Sequence, residues 1–198
     1  MTDFRTLVEQ ARSCRRFVES EPLTMKDLDW LIDCARLTPS ARNQQALRYS
    51  LITQGDVCDA LFAKTSWAAA LKDWGGPQPG ERPTAFIAIS LPGNAGHLTW
   101  VDLGIVVQTI QLAATSRSWG CCIIASFDVE TCRTLCRIPE ELSPRLVLGL
   151  GKAAETRVIE PVPADGKLSY WRDADGVHHV PKLALDQLVI GRFQGKNA

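Results

Sequence analysis

At 198 residues, 45% apolar and 22% charged, the chain has ordinary globular composition and enough length for one domain with a real core. Its 22 basic and 22 acidic side chains cancel, and the pI is near 6.8. That balance removes the electrostatic drive for non-specific binding to nucleic acid or an anionic membrane, so neither is expected as a partner.

The N-terminus, MTDFRTLVEQARSC, mixes charges of both signs and lacks the apolar run of a signal peptide, which points to a cytoplasmic protein. Phe4, Leu7, Val8 and Ala11 recur at helical spacing and predict an amphipathic helix over about 3–12, with RSCRRF (12–17) where it gives way to a turn. Thr24 with Asp27 three residues later is a capping-box start for a second helix. Leu28, Leu31, Ile32 and Ala35 form its stripe and Pro39 stops it. YSLIT (49–53) reads as a strand, DVCDALFAKT (56–65) as a short helix and GGPQPGERP (75–83) as a loop.

PTAFIAISL (83–91) is apolar and β-branched, as in a buried strand. From Val101 to about Trp119 comes the longest helix, apolar nearly all round and therefore expected inside or at a subunit interface. CCIIASF (121–127) predicts a strand, Asp128 an N-cap for the helix that follows, and RLVLGLG (145–151) a last core strand. The mixture is an α+β layer architecture in a single domain spanning 1–198. Residues 153–198 form a tail with turn signals at Asp165-Gly166 and Asp175-Gly176. It is too apolar to be disordered, is not expected to fold on itself, and is read as packing along another surface, its own or a partner's.

Seven cysteines (14, 34, 58, 121, 122, 132 and 136) without a disulfide-scaffold spacing are read as reduced, mostly buried thiols. Cys132 and Cys136 share a face if their segment is helical, and His178 and His179 are adjacent. Without a C-x-x-C knuckle these do not make a zinc pattern, and no metal is expected. GLGKAA (149–154) matches the dinucleotide fingerprint after a strand, but no helix of useful length fits before Pro161.

Two polar stretches carry chemistry. RSCRRF is either a solvated basic helix end or a phosphate cradle, in which arginine forks take phosphate oxygens bidentately and Ser13 adds a donor. TPSARNQQALR (38–48) is either a polar loop or a surface whose amides hydrogen-bond a planar heterocycle or a sugar.

Taken together, the R-S-x-R-x-F segment, P-S-x-x-N-x-Q at 39–45, a long buried helix and a G-C-x-I strand resemble the FMN-dependent nitroreductase family. YWRDADGVHHVPK resembles the ending of one branch of small nitroreductase-like proteins. The resemblance implies a central mixed or antiparallel sheet flanked by helices, in an intertwined homodimer with FMN at the subunit interface. It implies an NADH- or NADPH-dependent oxidoreductase that reduces nitroaromatics or quinones by a ping-pong cycle. The alternative is a dimer of the same fold, with weakened or lost FMN, acting as a small-ligand binding or sensing module.

Carried over by position, the resemblance assigns Arg12, Ser13 and Arg15 to the flavin turn, with Arg15 near the phosphate or the N1/O2 edge. Ser40, Asn43 and Gln45 would reach the flavin from the opposite subunit, Ala125 and Ser126 would face its N5/O4 edge, and Lys182 would close on the phosphate. The chain departs from the family at Ala11 and Leu183, where arginine is usual, at Ala125 in place of glycine and at Ala46 in place of proline.

Overall fold

The computed structural model describes residues 3–194; Met1, Thr2 and 195–198, the ends of the expected 1–198 domain and its tail, lie outside the described residues. The chain divides into two compact units, after Glu155.

In the first unit the elements run α1 (Phe4–Gln10), α2 (Met25–Arg36), β1 (Arg48–Thr53), α3 (Asp56–Phe62), β2 (Ala85–Pro92), α4 (His97–Ser116), β3 (Trp119–Ile124), α5 (Val129–Leu135) and β4 (Leu142–Lys152). A short 3-10 turn, Ala41–Asn43, lies between α2 and β1. The strands form one antiparallel sheet in the order β1-β2-β4-β3. Side chains alternate across a strand, so each face of this sheet needs its own cover. On one face Ile87, Ile89, Leu148 and Leu150 pack with Leu28 and Leu31 of α2 and Leu103, Val106 and Ile110 of α4. On the other, Phe86, Ala88, Cys122 and Val147 pack with Phe17, Cys58, Leu61 and Cys132. Burial on both faces is why β2 reads as a continuous apolar run rather than an alternating one.

The α+β architecture is as expected, and the local signals hold. The Thr24 hydroxyl accepts from the Asp27 amide at 3.3 Å while the Asp27 carboxylate accepts from the Thr24 amide at 2.8 Å. Asp128 caps α5 by accepting from Thr131 N–H. Several boundaries differ: α1 covers Phe4–Gln10 rather than 3–12, α3 stops at Phe62 rather than Thr65, and β3 spans Trp119–Ile124 rather than 121–127. α4 begins four residues before Val101, at His97, because its N-cap is Gly96 in an extended conformation with no side-chain bond to signal it. β4 begins at Leu142 and includes Pro144, which sits beside a register shift between Ile89 and Ser90, beyond the reach of β3, which pairs only from Val147 onward. RSCRRF is extended rather than a turn: Ser13 bridges Cys121 of β3 and Phe17 bridges Ala153.

This threading explains Gly151 of β4 and Gly120 of β3. A Cβ on Gly151 would stand 3.0 Å from the Phe17 ring, and one on Gly120 of β3 would stand 2.7 Å from Cβ of Cys14. The glycines let the N-terminal segment lie flat on the sheet. No helix follows the G-x-G of β4, since β4 leads directly to a further strand.

Within the second unit, β5 (Arg157–Pro161), β6 (Trp171–Arg172) and β7 (His178–Lys182) form a three-stranded sheet, order β5-β7-β6, followed by α6 (Leu185–Leu188). The tail therefore does pair on itself, against the expectation. The reason is non-local: β5 and β7 pair in parallel from about twenty residues apart, with a chain reversal that periodicity does not register. Its fastening is polar. His179 Nδ1 meets Glu160 Oε2 at 3.0 Å, His179 Nε2 meets Asp173 Oδ2 at 3.1 Å, and the Trp171 ring stacks on the imidazole at 4.0 Å.

Candidate functional site

The predicted site residues of the first unit fall into two groups, each built on a different element. Arg12, Ser13 and Arg15 lie on the extended segment beside β3, held there by Cys14 N–H donating to Cys121 O at 2.9 Å. The same strand ends at Ile124, so Ala125 and Ser126 follow it directly and are exposed. Ser126 O accepts from Ser66 N–H at 2.8 Å, which ties the strand end to the loop after α3.

Within this group the arginines differ. Arg12 is half-buried and its Nη2 donates to Val8 O at 2.8 Å. Arg15 is only 8% exposed, and its backbone N–H donates to Glu155 Oε1 at 2.5 Å. Both Arg15 and Glu155 act on Cys122. That thiol is pushed up to about 12, chiefly by burial, with Arg15 opposing the rise and Cys14 and Glu155 adding to it. A cation and an anion thus share this end of the site. Sequence reasoning missed Glu155, because nothing local marks it and its partner is 140 residues away. Ala11, where the resemblance would place arginine, is 1% exposed with its N–H donating to Leu7 O. A guanidinium there would enter the core uncompensated, so alanine follows from the packing.

The second group, Ser40, Asn43 and Gln45, forms a small network of its own. Gln45 N–H donates to Ser40 Oγ at 3.2 Å, and Gln45 Nε2 donates to Asn43 Oδ1 at 3.2 Å. The loop runs through left-handed backbone at Arg42, Asn43 and Gln45, with φ of 53°, 54° and 47°. Non-glycine residues hold that conformation only where their surroundings impose it. Two anchors do so. Arg48 Nη1 donates to Gln45 O and Leu47 O, both at 2.8 Å, and Asp102 Oδ1 accepts from Ala41 N–H at 2.9 Å. Asp102, 5% exposed, is the second functional residue the sequence reading passed over. Its signal was present, as the one acid in the otherwise apolar α4.

Beside this loop lies a cavity of about 230 Å³, walled by Ile32, Ala35, Tyr49 and Val106 and edged by Ser40 and Gln45. Lys182 stands at the end of β7 in the second unit, exposed, with its carbonyl accepting from Val162 N–H at 3.3 Å.

The donor set suits an anionic, planar ligand. The first group offers guanidinium and hydroxyl donors, and the second offers amides that both donate and accept.

Comparison with known proteins agrees with the fold. A Bacillus subtilis (strain 168) protein named as the NAD(P)H nitroreductase MhqN is 22% identical over 184 residues, covering 77% of this chain and 89% of that one. A Desulfovibrio desulfuricans structure described as a nitroreductase in complex with FMN superposes with a TM-score of 0.67 at 19% identity, covering 98% of this chain and 99% of that one. A nitroreductase with bound FMN from Desulfitobacterium hafniense DCB-2 gives 0.64 at 22% identity, covering 87% and 100%. The family model described as "Nitroreductase family" matches residues 8–152, from the end of α1 through β4. With most of its length matched in this way, the chain belongs to the nitroreductase family.

Proposed function

We propose that this chain is an FMN-dependent oxidoreductase that draws on NADH or NADPH and reduces nitroaromatics, quinones or similar acceptors in a ping-pong cycle in the cytoplasm. The observation that carries the reading is the Ser13–Cys121 bridge, which sets the Arg12–Arg15 segment beside the strand that Ala125 and Ser126 directly follow. FMN, when bound, supplies the hydride chemistry. Arg12 and Ser13 would hold its phosphate, and the backbone at Ala125 and Ser126 would face the ring edge. The resemblance adds Lys182 as a further phosphate contact. Arg15, fixed by burial, is a preorganised positive charge, which favours whichever state of a ligand carries more negative charge. No carboxylate pair or nucleophile triad is required of the protein.

The same reading includes a homodimer, which exposed apolar surface supports. α4 leaves Leu98, Val101 and Gly104 exposed along one side, and Phe4 of α1 is 68% exposed. Apolar surface of this kind is normally covered. A second copy would cover it and bring Ser40, Asn43 and Gln45 to the first copy's flavin from the opposite subunit.

The test is the visible spectrum of the purified protein, followed by NAD(P)H oxidation with a nitroaromatic or quinone acceptor. Flavin bands with FMN released on heating, and acceptor-dependent turnover, are expected. A second reading, a small-ligand binding or sensing module of the same fold, is favoured by Glu155 beside Arg15 and by Ala11. A colourless protein that takes up no added FMN would establish it in place of the enzyme.

A further inference from the structure

Five of the seven cysteines gather on one face of the sheet, and two of them form a pair outside the site described above. Cys132 lies in α5 and Cys136 at its C-cap, one helical turn apart, with Cys136 N–H donating to Cys132 O at 3.0 Å. Residues four apart on a helix present their side chains to each other, and here the Cys132 thiol and the Cys136 sulfur are hydrogen-bonded. Cys132 is 0% exposed. Cys136 is half-buried and lines an open groove of about 550 Å³ whose apolar walls are Met25, Leu51, Val57 and Leu135. One sulfur thus meets the groove, and the second lies directly behind it.

We propose that Cys132 and Cys136 form a two-thiol binding site for monosubstituted trivalent arsenicals, with the organic substituent lying in the apolar groove. The geometry selects this class. Zinc needs four ligands, and among the described residues no group of three or more His, Cys, Asp or Glu side chains is placed to hold a metal. Two sulfurs in mutual contact are too close to span a linear, two-coordinate ion, but they suit a pyramidal centre that takes both on one side. The hydrogen bond from Cys132, aided by one from the Ser50 hydroxyl, holds the Cys136 thiol below its ordinary range against the effect of burial. That makes Cys136 the entering nucleophile. Cys132, pushed up by the same contact and by burial, keeps its proton until the first bond has formed. The balance is simple: R–As(OH)₂ and two thiols give two As–S bonds and two waters, arsenic stays trivalent and no electrons move.

The test uses the full-length protein, phenylarsine oxide and intact-mass spectrometry. One phenylarsine adduct per chain is expected, stable to excess monothiol, released by a dithiol, and protecting Cys132 and Cys136 from alkylation after denaturation. The second thiol acts as an intramolecular ligand, so Cys136→Ser and Cys132→Ala should each shorten the adduct's lifetime in monothiol by about a hundredfold or more. Cys136→Ser sits at the half-buried position, so it decides the question even if the core variant folds poorly, and Cys34→Ser should leave the adduct unchanged. An adduct that monothiol removes from the wild type, one that survives in Cys136→Ser, or protection mapped to Cys14 and Cys122 would each overturn the proposal.

Discussion

Asp102, buried in the second turn of α4, accepts a hydrogen bond from the backbone of Ala41 across 2.9 Å, and so fastens the 40–45 loop to the most apolar helix of the fold. The bond reaches across 61 residues of sequence and satisfies a carboxylate that would otherwise be stranded in the core. Asp102→Asn keeps an acceptor oxygen, whereas Asp102→Ala leaves the Ala41 N–H without it. The alanine variant should lose about 1–3 kcal/mol of stability, the usual cost of a buried donor left unpaired, and the asparagine variant less. Urea unfolding measures the loss, and faster hydrogen exchange at residues 41–45 should accompany it. Unchanged exchange in the alanine variant would remove Asp102 as the anchor.

Arg15 and Glu155 give a paired prediction. If Arg15 serves the flavin, Arg15→Ala should weaken FMN binding by roughly 1.5–3 kcal/mol, about tenfold or more. Glu155→Gln, which keeps an acceptor for the Arg15 amide but removes the negative charge, should tighten binding. Flavin titration followed by fluorescence quenching reads both. Arg15→Ala protein with full flavin occupancy and unaltered reduction kinetics would refute the assignment.

The close approach of Cys14 to Gly120 makes a packing test independent of ligand. Gly120→Ala places a methyl group against the Cys14 side chain and should cost about 1–3 kcal/mol through overpacking, lowering the melting temperature. Cys14→Ala in the same chain should recover part of that loss, because it removes the sulfur, the nearer of the two Cys14 atoms in conflict, while its Cβ stays. No recovery in the double variant would mean that the strain lies elsewhere.

Stability of the three-stranded sheet in the second unit should depend on pH. The Asp173 hydrogen bond, then Glu160, raises the pKa of His179 above its ordinary 6.5, while the bond to His179 lowers that of Asp173 below its ordinary 3.8. A raised imidazole contributes stability that is fully present below about 6.5 and lost as pH rises through the folded value. The depressed carboxylate contributes above about 3.8, and its share is lost as pH falls through its folded value. The sheet should therefore be firmest between these limits and loosen as pH rises through the raised His179 value. Amide exchange over residues 171–182 follows this, and His179→Gln should abolish the loosening on the alkaline side. A variant that keeps the full alkaline dependence would place its origin in another group.

Most elements were legible one segment at a time. The Thr24–Asp27 box, the Asp128 cap and the apolar runs of β2 and β4 depend on neighbours within a few residues, so composition and period were enough to assign them. The Arg12–Phe17 segment reads as a turn in the sequence because the partners that extend it by hydrogen bonds, Cys121, Glu81 and Ala154, lie far along the chain. The G-x-G of β4 matches a dinucleotide fingerprint that its context rules out, and its packing purpose is one no local pattern shows. Its glycines answer to Phe17 and Trp67, which periodicity places on other elements.

By itself, the order of residues determined the α+β class and the positions of the strands and long helices, and it marked two polar stretches. All of these follow from local propensity and alternation. Only the tertiary structure decided that Asp102 holds the 40–45 loop, that Glu155 stands beside Arg15, that Ala11 leaves no room for arginine, and that residues 157–182 pair with themselves. Each of these depends on groups brought together from far along the chain, where the cost of an unpaired polar atom or a missing Cβ is set by the neighbour that arrives.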